Sequence, residues 1–91
     1  MQYSWDEKKR LETIKKRSID FAVACDFAWE TASVIADARS DYGEDRFVAT
    51  GYIADRLYIM AFTIRGDSVR IISLRKANDR EIKTYEKTTN R

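Results

Sequence analysis

The run Arg56-Leu57-Tyr58-Ile59-Met60-Ala61-Phe62-Thr63-Ile64-Arg65 does most to limit the folds open to this chain. It is apolar at odd and even positions alike over the length of a strand, so both of its faces need cover. Such a strand lies inside a sheet, with material above and below it. Gly66-Asp67 follows directly, and glycine supplies the positive φ that a tight hairpin needs. The spacing therefore predicts a strand over 56–65 that returns as a second over 68–75. Phe47, Val48, Tyr52 and Ile53 predict another strand over 46–54, next to a two-residue turn. Residues 31–38 give a weaker strand signal, because alanines dilute the β-branched residues.

Helical patterns flank these strands. Asp6 is placed to cap a helix over 6–17 that carries Leu11 and Ile14 on one face. From Asp20, the residues Phe21, Ala24, Cys25 and Ala28 follow i, i+3, i+4, i+7 spacing and predict a second helix. That stripe would bury Cys25 as a small hydrophobe. Asn78 and Glu81 have capping-box spacing at the start of a helix over 78–87. Trp5 and Trp29 read as core anchors, and Tyr85 as a packing residue. The chain has 91 residues, no proline and only three glycines, so residues 1–91 read as one domain without a linker. The expected fold class is α+β: an antiparallel sheet of three or four strands, two N-terminal helices and one C-terminal helix.

The absences narrow the chemistry. There is no histidine and one cysteine, which excludes His/Cys zinc sites and the Ser-His-Asp and Cys-His nucleophile systems. No glycine-rich phosphate loop exists, and no cofactor is expected. A lone thiol, early acids in place of a signal peptide, and no apolar run long enough to span a bilayer point to the cytoplasm and away from a membrane.

Net charge is +2, unevenly spread: +2 over residues 1–20, −4 over 21–64 and +4 over 65–91. If the two ends meet in space they form a basic surface suited to a phosphate polymer. Any catalysis must come from Lys, Arg, Asp, Glu and Tyr. Arg65, Arg70, Arg75 and Arg80 recur every five residues, a period that reads as coincidence; Arg75 and Arg80, at a strand end and a helix start, are better placed to converge. In a regular strand Arg70 and Arg75 point to opposite faces, so they share one pocket only if the strand ends or bulges before Arg75. Each residue also has an ordinary role open to it. Arg70 can cover the sheet with its stem, Arg75 can pair with Glu81, and Lys8, Lys9, Lys15, Lys16 and Arg17 can be solvated helix charges.

Two separated stretches carry a family resemblance. The opening Trp5-Asp6-Glu7-Lys8-Lys9-Arg10-Leu11, with Lys16 and Ile19-Asp20-Phe21, resembles the start of BrnT toxins. Arg70-Ile71-Ile72-Ser73-Leu74-Arg75-Lys76-Ala77-Asn78, with Glu81 and Tyr85, is similar to that family's C-terminal signature, and Arg46-Phe47 and Gly51 fall where it has its meander. The resemblance implies a RelE-like fold and the toxin of a type II toxin–antitoxin pair, a ribonuclease that cuts RNA and arrests translation and growth. It further implies a BrnA-like ribbon-helix-helix antitoxin, through which alone operator DNA is bound; a heterotetramer is one arrangement open to the pair. The chain departs from the family pattern at Thr13, where the family has Asn, and at Lys16-Arg17-Ser18, where it has Lys-His-Gly.

RNA brings its own nucleophile, the 2′-hydroxyl, so a metal-independent endoribonuclease needs positioning, proton transfer and charge stabilisation. Arg75 and Arg80 are the expected phosphate ligands, since an arginine fork holds phosphate bidentately. Lys9 and Glu81, with Glu44 as a further carboxylate, are the proton-transfer candidates. Lys16, Arg17, Arg65 and Arg70 are the expected RNA contacts. The missing histidine leaves a second reading open: a non-enzymatic antitoxin-binding module in an autoregulatory DNA-binding complex.

Overall fold

The computed structural model describes residues 2–37 and 43–89. In chain order the elements are β1 (Gln2–Trp5), α1 (Glu7–Arg17), a 3-10 helix (Phe21–Asp26), a 3-10 turn (Trp29–Thr31), β2 (Ser33–Ala36), β3 (Arg46–Ile53), β4 (Arg56–Arg65), β5 (Ser68–Lys76) and α2 (Asp79–Thr89). The strands form one five-stranded sheet in the order β1-β5-β4-β3-β2. β4 is its central strand, as its two apolar faces demand. Position 38 of the weak strand signal lies outside the described residues.

The α+β class holds, but the sheet is larger and mixed rather than a purely antiparallel one of three or four strands. β1 was not expected. Tyr3 and Trp5 alternate with polar residues over only four positions, and their partner is parallel and distant in sequence, with Tyr3 opposite Val69 and Trp5 opposite Ile71. Both aromatic side chains pack against the main core.

α1 starts where Asp6 accepts hydrogen bonds from the N–H groups of Lys8 and Lys9. It stops at Ser18, which takes a left-handed φ of 58° and donates its N–H to the Ile14 carbonyl at 2.9 Å. Arg10 then donates Nε to Asp20 at 2.9 Å and Nη1 to Glu7 at 2.6 Å, tying the helix to the segment that follows. Asp20 does cap a helical segment, through Ala22 N–H, but that segment is a 3-10 helix. A period of three places Phe21, Ala24 and Phe27 inward. Cys25 falls off that face and is exposed, contrary to the burial expected from a 3.6-residue period.

The sheet has two unlike faces. On the core face Met60, Phe62, Ile71, Leu74, Ala49 and Ile53 pack beneath Phe21, Ala24 and Phe27. Gly51 is required here: a Cβ would stand 2.6 Å from the Phe27 ring. On the opposite face a smaller cluster of Leu57, Ile59, Ala77 and Tyr85 seats α2 over one end of the sheet. Tyr85 also donates its hydroxyl to the Thr31 carbonyl at 2.6 Å. Beside α2, the side chains of Ile35, Val48, Thr50, Ala61 and Ser73 on that face line a groove, while Thr63 at the far end is buried and donates its hydroxyl to the Asp45 carbonyl.

Candidate nucleic-acid interface

A β-bulge decides which side chains of β5 share the face of the groove. On β4 and β5, Ala61 stands opposite Ser73 while Phe62 stands opposite Ile71, so Ile72 has no partner of its own. One extra residue reverses the alternation of β5 beyond it. Arg70 consequently pairs with Thr63 and Arg75 with Ile59, four residues apart on β4, and both arginines point into the same face. This is the condition the five-residue spacing demanded. The two rows are about 13 Å apart at the rise of an antiparallel strand. Between them lies a row of small side chains, Val48, Ala61 and Ser73. Together with the end of α2 they line a groove of about 640 Å³ that includes Ile35, Arg75, Arg80, Glu81 and Tyr85.

Arg75 and Glu81 form a two-pronged pair, Nη1 to Oε1 at 2.8 Å and Nη2 to Oε2 at 2.7 Å. Glu81 also closes the capping box of α2: its carboxylate accepts the Asn78 N–H at 2.9 Å, and its own N–H donates to Asn78 Oδ1 at 2.8 Å. The Arg75 fork, aided by the Asn78 N–H, holds the Glu81 carboxyl down at about 2. The same pairing raises the Arg75 pKa further. Glu81 is therefore a fixed carboxylate near neutral pH. It is better suited to orient a guanidinium than to accept a proton.

Arg80 is exposed at the first turn of α2 and lines the groove beside this pair. Its side chain makes no hydrogen bond or ion pair among the described residues. On the other side of β5, α1 packs along the strand edge that β1 leaves uncovered. Arg17 donates to the Leu74 carbonyl at 3.3 Å and so covers an open edge group. Lys9, Glu12, Thr13, Lys16 and Arg17 surround a second, smaller depression of about 180 Å³ floored by Ile72 and Ser73. Ser73 lines both hollows, so the two meet at the bulge.

The structure thus gathers Arg75, Arg80 and Glu81 at the groove and Lys9, Lys16 and Arg17 at the adjoining depression, with Arg70 on the same sheet face as Arg75 but outside the groove's lining. Arg65 stands apart at the end of the hairpin, where Glu44 takes both its Nε and Nη2 at 3.3 Å. Sequence reasoning missed Ser73, because nothing in Ile71-Ile72-Ser73 betrays a bulge. It also passed over Arg46, whose two-residue alternation with Val48 and Thr50 was a usable signal for this face.

The class the structure defines is a small α+β domain with a mixed five-stranded sheet, one face of which bears Arg75, with Arg80 of α2, beside the lysines of α1. The family model described as "Ribonuclease toxin, BrnT, of type II toxin-antitoxin system" matches residues 5–81. The chain belongs to that BrnT family. A search of curated proteins finds no match. Among the described residues no helix is long and apolar enough to cross a membrane.

Proposed function

We propose that this chain is a metal-independent endoribonuclease toxin, RelE-like in fold, that binds single-stranded RNA across the groove face and cuts it beside Arg75. The observation that carries this reading is the bulge at Ile72, which turns Arg70 and Arg75 to one face and joins the groove to the lysines of α1. The 2′-hydroxyl attacks the adjacent phosphorus as its proton passes to solvent. The bond to the 5′-oxygen breaks, and that oxygen takes a proton from a nearby donor, for which Lys9 is the candidate. Arg75 and Arg80 stabilise the charge that builds on the phosphate, and Glu81 fixes the plane of the Arg75 fork. Arg70, Lys16 and Arg17 hold the flanking phosphates. Arg65 serves only RNA long enough to reach the hairpin, and only by leaving Glu44.

The physiological partner in this reading is a BrnA-like ribbon-helix-helix antitoxin, which carries operator binding for the complex and assembles with the toxin as a heterotetramer. Expression without the antitoxin, followed by mapping of transcript ends, tests the activity. New ends and arrested growth are expected, whereas intact RNA with normal growth at high toxin levels would refute the enzyme. Arg75→Ala should abolish toxicity while costing no more stability than its pair with Glu81 contributes, about 1–2 kcal/mol, so that the chain still folds.

Two features favour the second reading, a non-enzymatic antitoxin-binding module. The Nη1 and Nη2 prongs of Arg75 are already engaged by Glu81, and Arg17 stands where the family resemblance has histidine. Toxicity gained by Arg17→His over an inert parent would establish that reading.

A further inference from the structure

β2 is an edge strand whose four residues are all exposed. Its two large side chains, Val34 and Ile35, are 46% and 63% exposed. They point to opposite faces of the sheet, because they are adjacent in a strand. A helix or globular surface laid on one face could cover only one of them. A strand added to the edge covers both. The backbone is set up for this. Asp37 N–H donates to the Arg46 carbonyl at 2.8 Å, and Asp37 follows the register that sets Ile35 opposite Val48 and Ser33 opposite Thr50. The alternation of an antiparallel ladder then turns the N–H and C=O groups of Ser33 and Ile35 toward β3 and those of Val34 and Ala36 outward. The strand carries no lysine, proline or bulge, the usual devices that protect an edge.

We infer that the outer edge of β2 is a docking site for an extended segment of the antitoxin, which adds a sixth strand and places a carboxylate at Arg80. This rests on the chain's role as a toxin with a dedicated protein partner. Ser33 and Ile35 form one bank of the groove in which Arg80 is an exposed cation, so a strand beyond β2 lines its mouth. Asp37 supplies a negative charge at the end of the β2 bank, so charge complementarity sets the partner's acidic residue toward Arg80 on the α2 bank, among alternating apolar ones. A second copy of this chain fits less well. Four paired residues span only about 14 Å, and an edge contact of that length buries far less than the roughly 1,200 Å² of stable association. A longer partner segment can continue into the groove.

The test uses the full chain and the purified product of its adjoining antitoxin gene. Ala36→Pro removes an outward N–H, which an edge strand tolerates. Val34→Lys adds a charge to the edge. Each variant should melt within a few degrees of the parent yet bind the antitoxin about tenfold more weakly or worse, and Arg80→Ala should weaken binding in the same assay. Hydrogen exchange of the wild-type complex should show the amides of Val34 and Ala36 slowed. Undiminished binding by both edge variants, with no slowing at residues 33–36, would overturn the docking site while leaving the partnership intact. Edge protection in the free chain that rises with its concentration would assign the edge to a second copy and overturn the choice of occupant. Failure of the wild type to bind the antitoxin at all would overturn the partnership, and this proposal with it.

Discussion

Glu81 shows how one side chain can serve a helix and a site together. It completes the capping box with Asn78 and grips Arg75 through both oxygens. Its carboxyl is lowered from 4.5 to about 2, so its contribution to stability is complete above its unfolded value and is lost as pH falls from about 5 toward 2. Both partners are partly in water, so that contribution is on the order of 1–2 kcal/mol. Glu81→Gln should lower stability at pH 7 by about that much and flatten the acid limb of a stability–pH profile. An acid limb as steep as the parent's would show that the pair does not carry it. The capping role and the Arg75–Glu81 pairing were both legible, because each depends on local spacing. The exposure of Cys25 was not, since it turns on whether six residues wind with a period of three or of 3.6.

At the scale of elements, two positions carry opposite expectations. Ser18 ends α1 in a left-handed conformation that glycine adopts without steric cost. Ser18→Gly should stabilise the chain by about 0.5–1 kcal/mol, read as a melting temperature a few degrees higher. Gly51→Ala would drive a methyl into the Phe27 ring and should cost about 1–3 kcal/mol in denaturant unfolding. An unchanged midpoint would mean that Phe27 has room to withdraw. The strands of the meander were readable because alternation and turn glycines mark them locally. β1 and the bulge at Ile72 were not. A parallel partner more than sixty residues away leaves no local trace, and in Ile71-Ile72 both residues are apolar, so either could face the core. The parity conflict between Arg70 and Arg75 was the one clue to the bulge.

Across the whole molecule, acidic charge among the described residues sits on the helices and connections rather than on the strands. The basic ends of the chain meet because β1 pairs with β5 and α1 packs along its edge, while acids of the middle such as Asp26, Glu30, Glu44, Asp45 and Asp55 lie between the strands. The uneven charge was legible in the sequence; the meeting of the ends was only conditional until β1 was found. If this basic side grips RNA, the affinity falls with salt, and that dependence is directly measurable. The probe is a single-stranded oligonucleotide with 2′-O-methyl riboses, which can bind without being cut. With roughly four phosphate contacts, log K against log salt should fall with a slope near −3, and Arg80→Ala should bring it to about −2. A slope near zero, or one that Arg80→Ala leaves untouched, would contradict the account and make these charges ordinary solvated surface.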